Sequence, residues 1–215
     1  MSIIPQEQVK SSDLIIGSIY EGGPTISSEP ISTLLGVGNM GGIRPKVNLG
    51  ATSFVALLST NSETEWPDGF DGSNGSYTYF GDNRSSGRGL LEPHGNKAFH
   101  RVFEADFSTQ EARLQSPPFF IFSIATGHPG RSVKFEGLGV PGDSSNEEDW
   151  CVAKFFKDKD NKKFLNFQIR LTILADHRIT ATWLADLAAG EVLTPNCPAW
   201  YAEWINTGRR VPYTY

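Results

Sequence analysis

Short apolar runs, each closed by a glycine or proline turn, recur along this chain and set its fold class before anything else does. Asp13–Tyr20 is followed by Glu21-Gly-Gly-Pro24, Thr52–Thr60 reads as a central strand, and Tyr77–Phe80 lies between Asn74-Gly75 and Gly81-Asp82. Pro117-Pro118 open Phe119-Phe-Ile-Phe-Ser-Ile-Ala125, a dense buried strand, and Val133–Val140 alternates as a half-exposed strand should. Trp150–Phe156 and Phe164–Leu174 flank the polar turn Lys157–Lys163. Helical spacing is confined to Pro30–Leu35, residues 96–107, Ile179–Ala189 before Gly190, and Pro198–Asn206 before Gly208. With 22 glycines and 13 prolines in 215 residues, this pattern excludes a helix bundle. It predicts one domain over residues 1–215, built on a closed or strongly curved sheet flanked by helices.

No run of 18 apolar residues spans a membrane, and Met1-Ser-Ile-Ile-Pro-Gln6 lacks the charged start and apolar core of a secretory signal. Cys151 and Cys197 are too few for a disulfide framework or zinc cluster, so a reduced, cytoplasmic protein is expected. A net charge of -5 argues against a non-specific nucleic-acid coat, yet the average hides segregation. Residues 63–83 hold five acids and no Lys or Arg. Residues 84–101 hold Arg84, Arg88, Lys97 and Arg101 against Glu92, and residues 154–170 hold six cations against Asp158 and Asp160. Arg44 and Lys46 sit in another acid-free stretch, and such patches can hold a polyanion while the remaining surface repels it.

Gly36-Val-Gly-Asn-Met-Gly41 has the letters of a dinucleotide cradle, but Pro45 opposes the helix that would have to follow, so it reads as a plain loop. The four histidines show no ligand spacing, so no metal or other cofactor is expected. Asp68 and Asp160-Asn-Lys162 match a metal-dependent nuclease only in letters, being about ninety residues apart, and no catalytic residue is assigned. Glu65–Arg84 differs from these. Trp66, Tyr77 and Tyr79 bracket Asp68 and Asp71, and a carboxylate between flat aromatic faces suits a nucleobase removed from its stack. A core tyrosine pair beside an Asx turn accounts equally well for the same residues.

The order Trp66-Pro-Asp68, Asp71, Gly75, Tyr77-Thr-Tyr-Phe-Gly-Asp-Asn83 and Gly95-Asn96 resembles the N-terminal, SRA-like recognition domain of MspJI/AspBHI-type modification-dependent restriction endonucleases. Ile19–Gly23, Gly38–Gly42, Pro195–Pro198 and Trp204 extend the resemblance over nearly the whole chain. Phe80 replaces a tyrosine of that pattern, and Ser85-Ser-Gly87 replaces a Pro-Gly. The resemblance implies an α+β fold, a strongly curved and mostly antiparallel β-barrel flanked by a few helices. It implies double-stranded DNA carrying 5-methylcytosine or 5-hydroxymethylcytosine as the partner, the modified base being flipped into a pocket. Carried over by motif, Trp66 and Tyr79 become the stacking faces. Asp68, with Asp71 as the alternative, becomes the acceptor for the cytosine N4 amine, and Tyr77, Thr78 and Gly81 complete the pocket.

Asn83, Arg84, Arg88, Lys97 and Arg101, with Arg44 and Lys46, then become phosphate or duplex contacts. The related enzymes continue into a nuclease domain where this chain ends at Tyr215, so recognition without cutting is expected, with a nuclease domain or subunit as a partner. Two other classes fit the residues: a self-contained nuclease, and a barrel that binds protein or small molecules without DNA affinity.

Overall fold

Large apolar residues at consecutive positions need cover on both faces of a strand, and that requirement decides where the helices lie. A computed structural model describes residues 2–60, 67–143 and 150–215. In chain order the elements are β1 (Ile3–Ile4), β2 (Leu14–Ile15), β3 (Ile19–Tyr20), α1 (Pro30–Leu35), β4 (Ile43–Asn48) and β5 (Ala51–Ser59). They continue with β6 (Gly69–Asp71), β7 (Ser76–Phe80), α2 (His94–Phe103), α3 (Gln110–Gln115), β8 (Phe119–Ile124) and β9 (Val133–Pro141). Last come β10 (Cys151–Lys157), β11 (Lys163–Ile173), β12 (Arg178–Ile179), α4 (Ala181–Ala189) and α5 (Ala199–Thr207). Among the described residues no helix is long and apolar enough to cross a membrane.

The main sheet runs β4-β5-β8-β9-β11-β7-β6, and every pairing on that path is antiparallel except β5 with β8. On β8, Phe119 meets Phe99 and Phe103 of α2, whereas Phe120 meets Trp183 of α4. Helices on both sides explain why this strand is apolar at successive positions. The sheet curls until β7 faces β5, two strands that share no ladder. Tyr79 Oη donates to the carbonyl of Leu58 at 3.0 Å, and the Tyr77 side chain bonds Ser59. The fold is therefore mixed α+β on a large, mostly antiparallel, curved sheet. Of the expected closed or strongly curved sheet, the curvature is present, and among the described residues β5 and β7 meet through tyrosine side chains with no backbone pairing between them.

Several boundaries move. The run Asp13–Tyr20 is broken at Gly17 (φ 78°) into β2 and β3. Ile43–Asn48 forms an edge strand in which Pro45 is tolerated because one side needs no partner. That strand follows the glycine-rich loop where a dinucleotide cradle would need a helix.

Arg44 and Lys46 are spent on this loop. Arg44 Nη1 lies 2.8 Å from Glu29 Oε1 with both side chains at most 5% exposed, and its Nε donates to the carbonyl of Gly41. Glu29 in turn caps α1 through Ser32 N, and Lys46 Nζ donates to the carbonyl of Gly36 at 2.9 Å. These contacts correct the assignment of Arg44 to the DNA backbone, and they leave Lys46 occupied at the end of α1. Removing one partner of a buried pair strands the other charge. Arg44→Ala should therefore cost about 3–5 kcal/mol in urea unfolding, and the double change Glu29→Gln/Arg44→Met should recover most of that loss.

Candidate nucleic-acid interface

Period-two alternation on β7 turns Tyr77 and Tyr79 to the core and Thr78 and Phe80 to the other face. Thr78 therefore does not join the two tyrosines. Tyr79 is 4% exposed and stands edge-on to Phe99 at 6.1 Å, so its ring is a core ring. This corrects the expectation of an open stacking face there. Trp66, the other expected face, lies outside the described residues. Asp68 is half-buried and its Oδ1 accepts from Phe80 N at 3.0 Å. Asp71 is exposed, and its carboxylate accepts from both N and Oγ of Ser73, which hold it below the ordinary carboxylate range. It forms the Asx turn of the β6–β7 hairpin.

Beyond β7 the chain enters a buried polar knot. Gly81 N donates to the carbonyl of Phe167, and the Gly81 carbonyl accepts from Asn166 Nδ2, so both of its backbone groups are used. A Cβ at Gly81 would collide with the side-chain oxygens of Asn96 and Asn166. Asn166 Oδ1 accepts from Asn83 N, Asn96 Nδ2 and Phe167 N at 3.3, 3.1 and 3.0 Å. Asn83 is 0% exposed and its Nδ2 donates to the carbonyls of Leu165 and Arg88, which corrects its assignment to the DNA backbone. Asp82 N donates to Asn96 Oδ1 at 2.7 Å, and the Asp82 carboxylate accepts from Gly95 N at the start of α2. Only glycine at position 95 admits that approach. The two sequence blocks Gly81-Asp-Asn83 and Gly95-Asn96 thus meet in space, and Asn166, which no motif singled out, joins them.

Charge gathers around the tyrosine hydroxyls. Burial raises the Tyr79 hydroxyl well above its usual range, with Asp68 and Asp82 adding to the shift and Arg84 opposing it. The charges of Asp68, Asp82 and Arg84 are thus all felt at the Tyr79 hydroxyl, which meets Leu58 at the end of β5. Asp82 entered through the structure alone, although its place in the Gly81-Asp-Asn83 block was the available signal.

The basic segments also meet. Ser86 Oγ and N donate to Asp158 Oδ2 at 2.7 and 3.3 Å, while Asp158 Oδ1 accepts from Asp160 N and Lys162 N. These bonds hold the Asp158 carboxyl down at about 2. One acid thus ties the loop carrying exposed Arg84 and Arg88 to the β10–β11 turn carrying exposed Lys157, Lys159, Lys162 and Lys163. Lys97 and Arg101 are exposed farther along α2, whereas Arg170 pairs with Asp143 at 3.2 Å. Among the described residues no three metal-ligating side chains converge. The arrangement suits a polyanion beside a small acid-lined seam.

A family model described as restriction endonuclease AspBHI N-terminal matches residues 14–215. Among solved structures, the DNA recognition domain of the cytosine modification-dependent restriction endonuclease LpnPI superposes with a TM-score of 0.89 and 29% identity, covering 99% of this chain and 96% of that one. The DNA modification-dependent restriction endonuclease AspBHI superposes at 0.88 with 27% identity, and this chain covers 55% of its length. The MspJI restriction endonuclease, solved with a 27-mer oligonucleotide, shares the fold at 0.67 with 20% identity, with coverage of 94% of this chain and 54% of that one. No curated protein sequence matches.

The Asp82 carboxyl is raised above its ordinary value of 3.8, chiefly by burial. The stability tied to it is complete below that value and declines as pH rises through the native pKa. Asp82→Asn, which keeps an acceptor for Gly95 N, should therefore exceed the wild type in stability at neutral pH. The gap should close on acidification in a series of urea melts.

Proposed function

The chain belongs to the restriction endonuclease AspBHI N-terminal family, and from that premise we propose that it reads modified cytosine in duplex DNA, with a nuclease domain or subunit doing the cutting. The observation that carries this reading is the likeness to a DNA recognition domain across 96% of that domain's length. In this proposal the curved sheet is SRA-like, and 5-methylcytosine or 5-hydroxymethylcytosine swings out of the helix toward Asp68. A carboxylate is required there because the cytosine edge presents an amine donor, and thymine presents a carbonyl that it repels.

Asp68, half-buried and tied to β7 through Phe80 N, takes this role in preference to Asp71, which is exposed and whose Oδ1 holds the hairpin turn through Ser73. Trp66, two residues before Asp68 in sequence, supplies an aromatic face in this reading. Flipping costs a few kcal/mol of stacking and pairing. Base–aromatic stacking at about 1–3 kcal/mol per face offsets that, and a buried methyl adds only about 0.8 kcal/mol. Discrimination against plain cytosine therefore rests on the fit around the methyl.

Arg84, Arg88 and the lysines of the β10–β11 turn hold phosphates in this reading, with Asp158 keeping the two segments together. Fluorescence anisotropy with methylated and unmethylated duplexes is the test. Asp68→Ala should weaken binding of the methylated duplex about tenfold or more and abolish the preference for it. Equal binding of both duplexes by the wild type, unchanged in Asp68→Ala, would sink the reading. Arg88→Ala should weaken both duplexes alike and flatten the salt slope by about one unit, and a loss confined to methylated DNA would show that its role is different.

A further inference from the structure

The β4–β5 hairpin ends in a two-residue turn, Leu49-Gly50, between the paired residues Asn48 and Ala51. Both turn residues have positive φ, 48° and 86°. The first position of such a turn ordinarily takes Asn, Asp or Gly, and a leucine there sets its Cβ against the backbone. Leu49 is also 100% exposed, and Val47 is 56% exposed. An apolar side chain held in a strained conformation with nothing to pack against contributes nothing to this fold. The hairpin is nonetheless anchored, since Asn48 Nδ2 donates to the carbonyl of Ala188 at the end of α4 at 3.0 Å.

This tip forms one wall of a groove of about 1050 Å³, and the exposed face of α2 forms the other, with His94, Lys97 and Arg101. Asp106 is the one acid in its lining, so the groove is cationic as well as apolar. It begins at His94, next to the Gly95 amide that holds Asp82, and so continues from the candidate interface.

We infer that this groove takes the duplex flanking the modified base, with phosphates on Lys97 and Arg101 and Leu49 entering the minor groove as an apolar wedge. The inference rests on the modified-DNA reading above. Leucine is among the side chains that enter a base step, partly unstack it and bend the duplex so that it covers more protein surface. A duplex also presents what this groove is built to meet, phosphate charge against Lys97 and Arg101 and apolar base faces against Leu49. A protein partner with an acidic rim is the competing occupant.

The test compares the wild type with Leu49→Asn, which suits a left-handed turn residue and removes the wedge. Two methylated duplexes are used, one of about 30 base pairs that fills the groove and a shorter one that carries the modified base about two pairs from the end facing the groove and so ends short of it, with end labels reporting bending by energy transfer. Leu49→Asn should raise Tm by about 2–4 °C, because the backbone strain is relieved. It should weaken the long duplex about tenfold and reduce its bend, while the short duplex changes less than about twofold. If the wild type binds methylated DNA but the variant matches it in affinity and bend on the long duplex, the wedge is overturned and the tip belongs to a protein contact. Absence of binding by either protein to any methylated duplex at low salt would overturn the underlying reading, and this proposal with it.

Discussion

Three buried asparagine side chains hold the candidate interface of this molecule together. A single amide oxygen, that of Asn166, accepts from the backbone of Asn83, the side chain of Asn96 and its own following residue, while its nitrogen holds the carbonyl of Gly81. Three segments distant in sequence are fixed by these bonds: the exit of β7 with the loop after it, the first turn of α2 and the first half of β11. Buried amides are costly when unpaired and rigidifying when every group is satisfied, so the knot specifies one geometry. Through Asn96 and Gly95 it also fixes Asp82, and through β7 it fixes the tyrosines and Asp68.

Much of the fold was legible because its cause is local. Glycine at 190 and 208 ends α4 and α5 in left-handed conformation, at φ 91° and 80°, where the sequence places those ends. The run after Pro117-Pro118 is a strand covered on both sides, as its unbroken apolar character requires. Less was legible at the site, because the deciding facts there are long-range. Nothing in Asn83 or Arg44 announces that a polar side chain points inward, since both look like surface contacts until their partners, eighty-two residues away at Leu165 and fifteen away at Glu29, are known. Tyr79 shows the same limit. An aromatic beside an acid is compatible with a ligand site and with a core, and packing against Phe99 places its ring in the core.

Charge illustrates the difference between a sum and a distribution. The formal total of -5 counts Glu29 and Asp143, which are spent on Arg44 and Arg170, and Asp158, which organises cations in place of cancelling a distant field. Exposed lysines of the β10–β11 turn and arginines of the loop after β7 thereby share one stretch of surface. An acidic protein can present a local positive potential without being basic anywhere else.

The seam between β5 and β7 has a consequence for motion. A ladder of peptide bonds opens only as a unit, whereas the two phenol side chains reaching across to Leu58 and Ser59 are held by core packing and single hydroxyl contacts. Widening at that line would break no strand pairing of β5 or β7 but would require both rings to leave the core. Among the described residues that line is held by two buried rings and their hydroxyl contacts, where every other neighbour on the path of the sheet is held by a ladder.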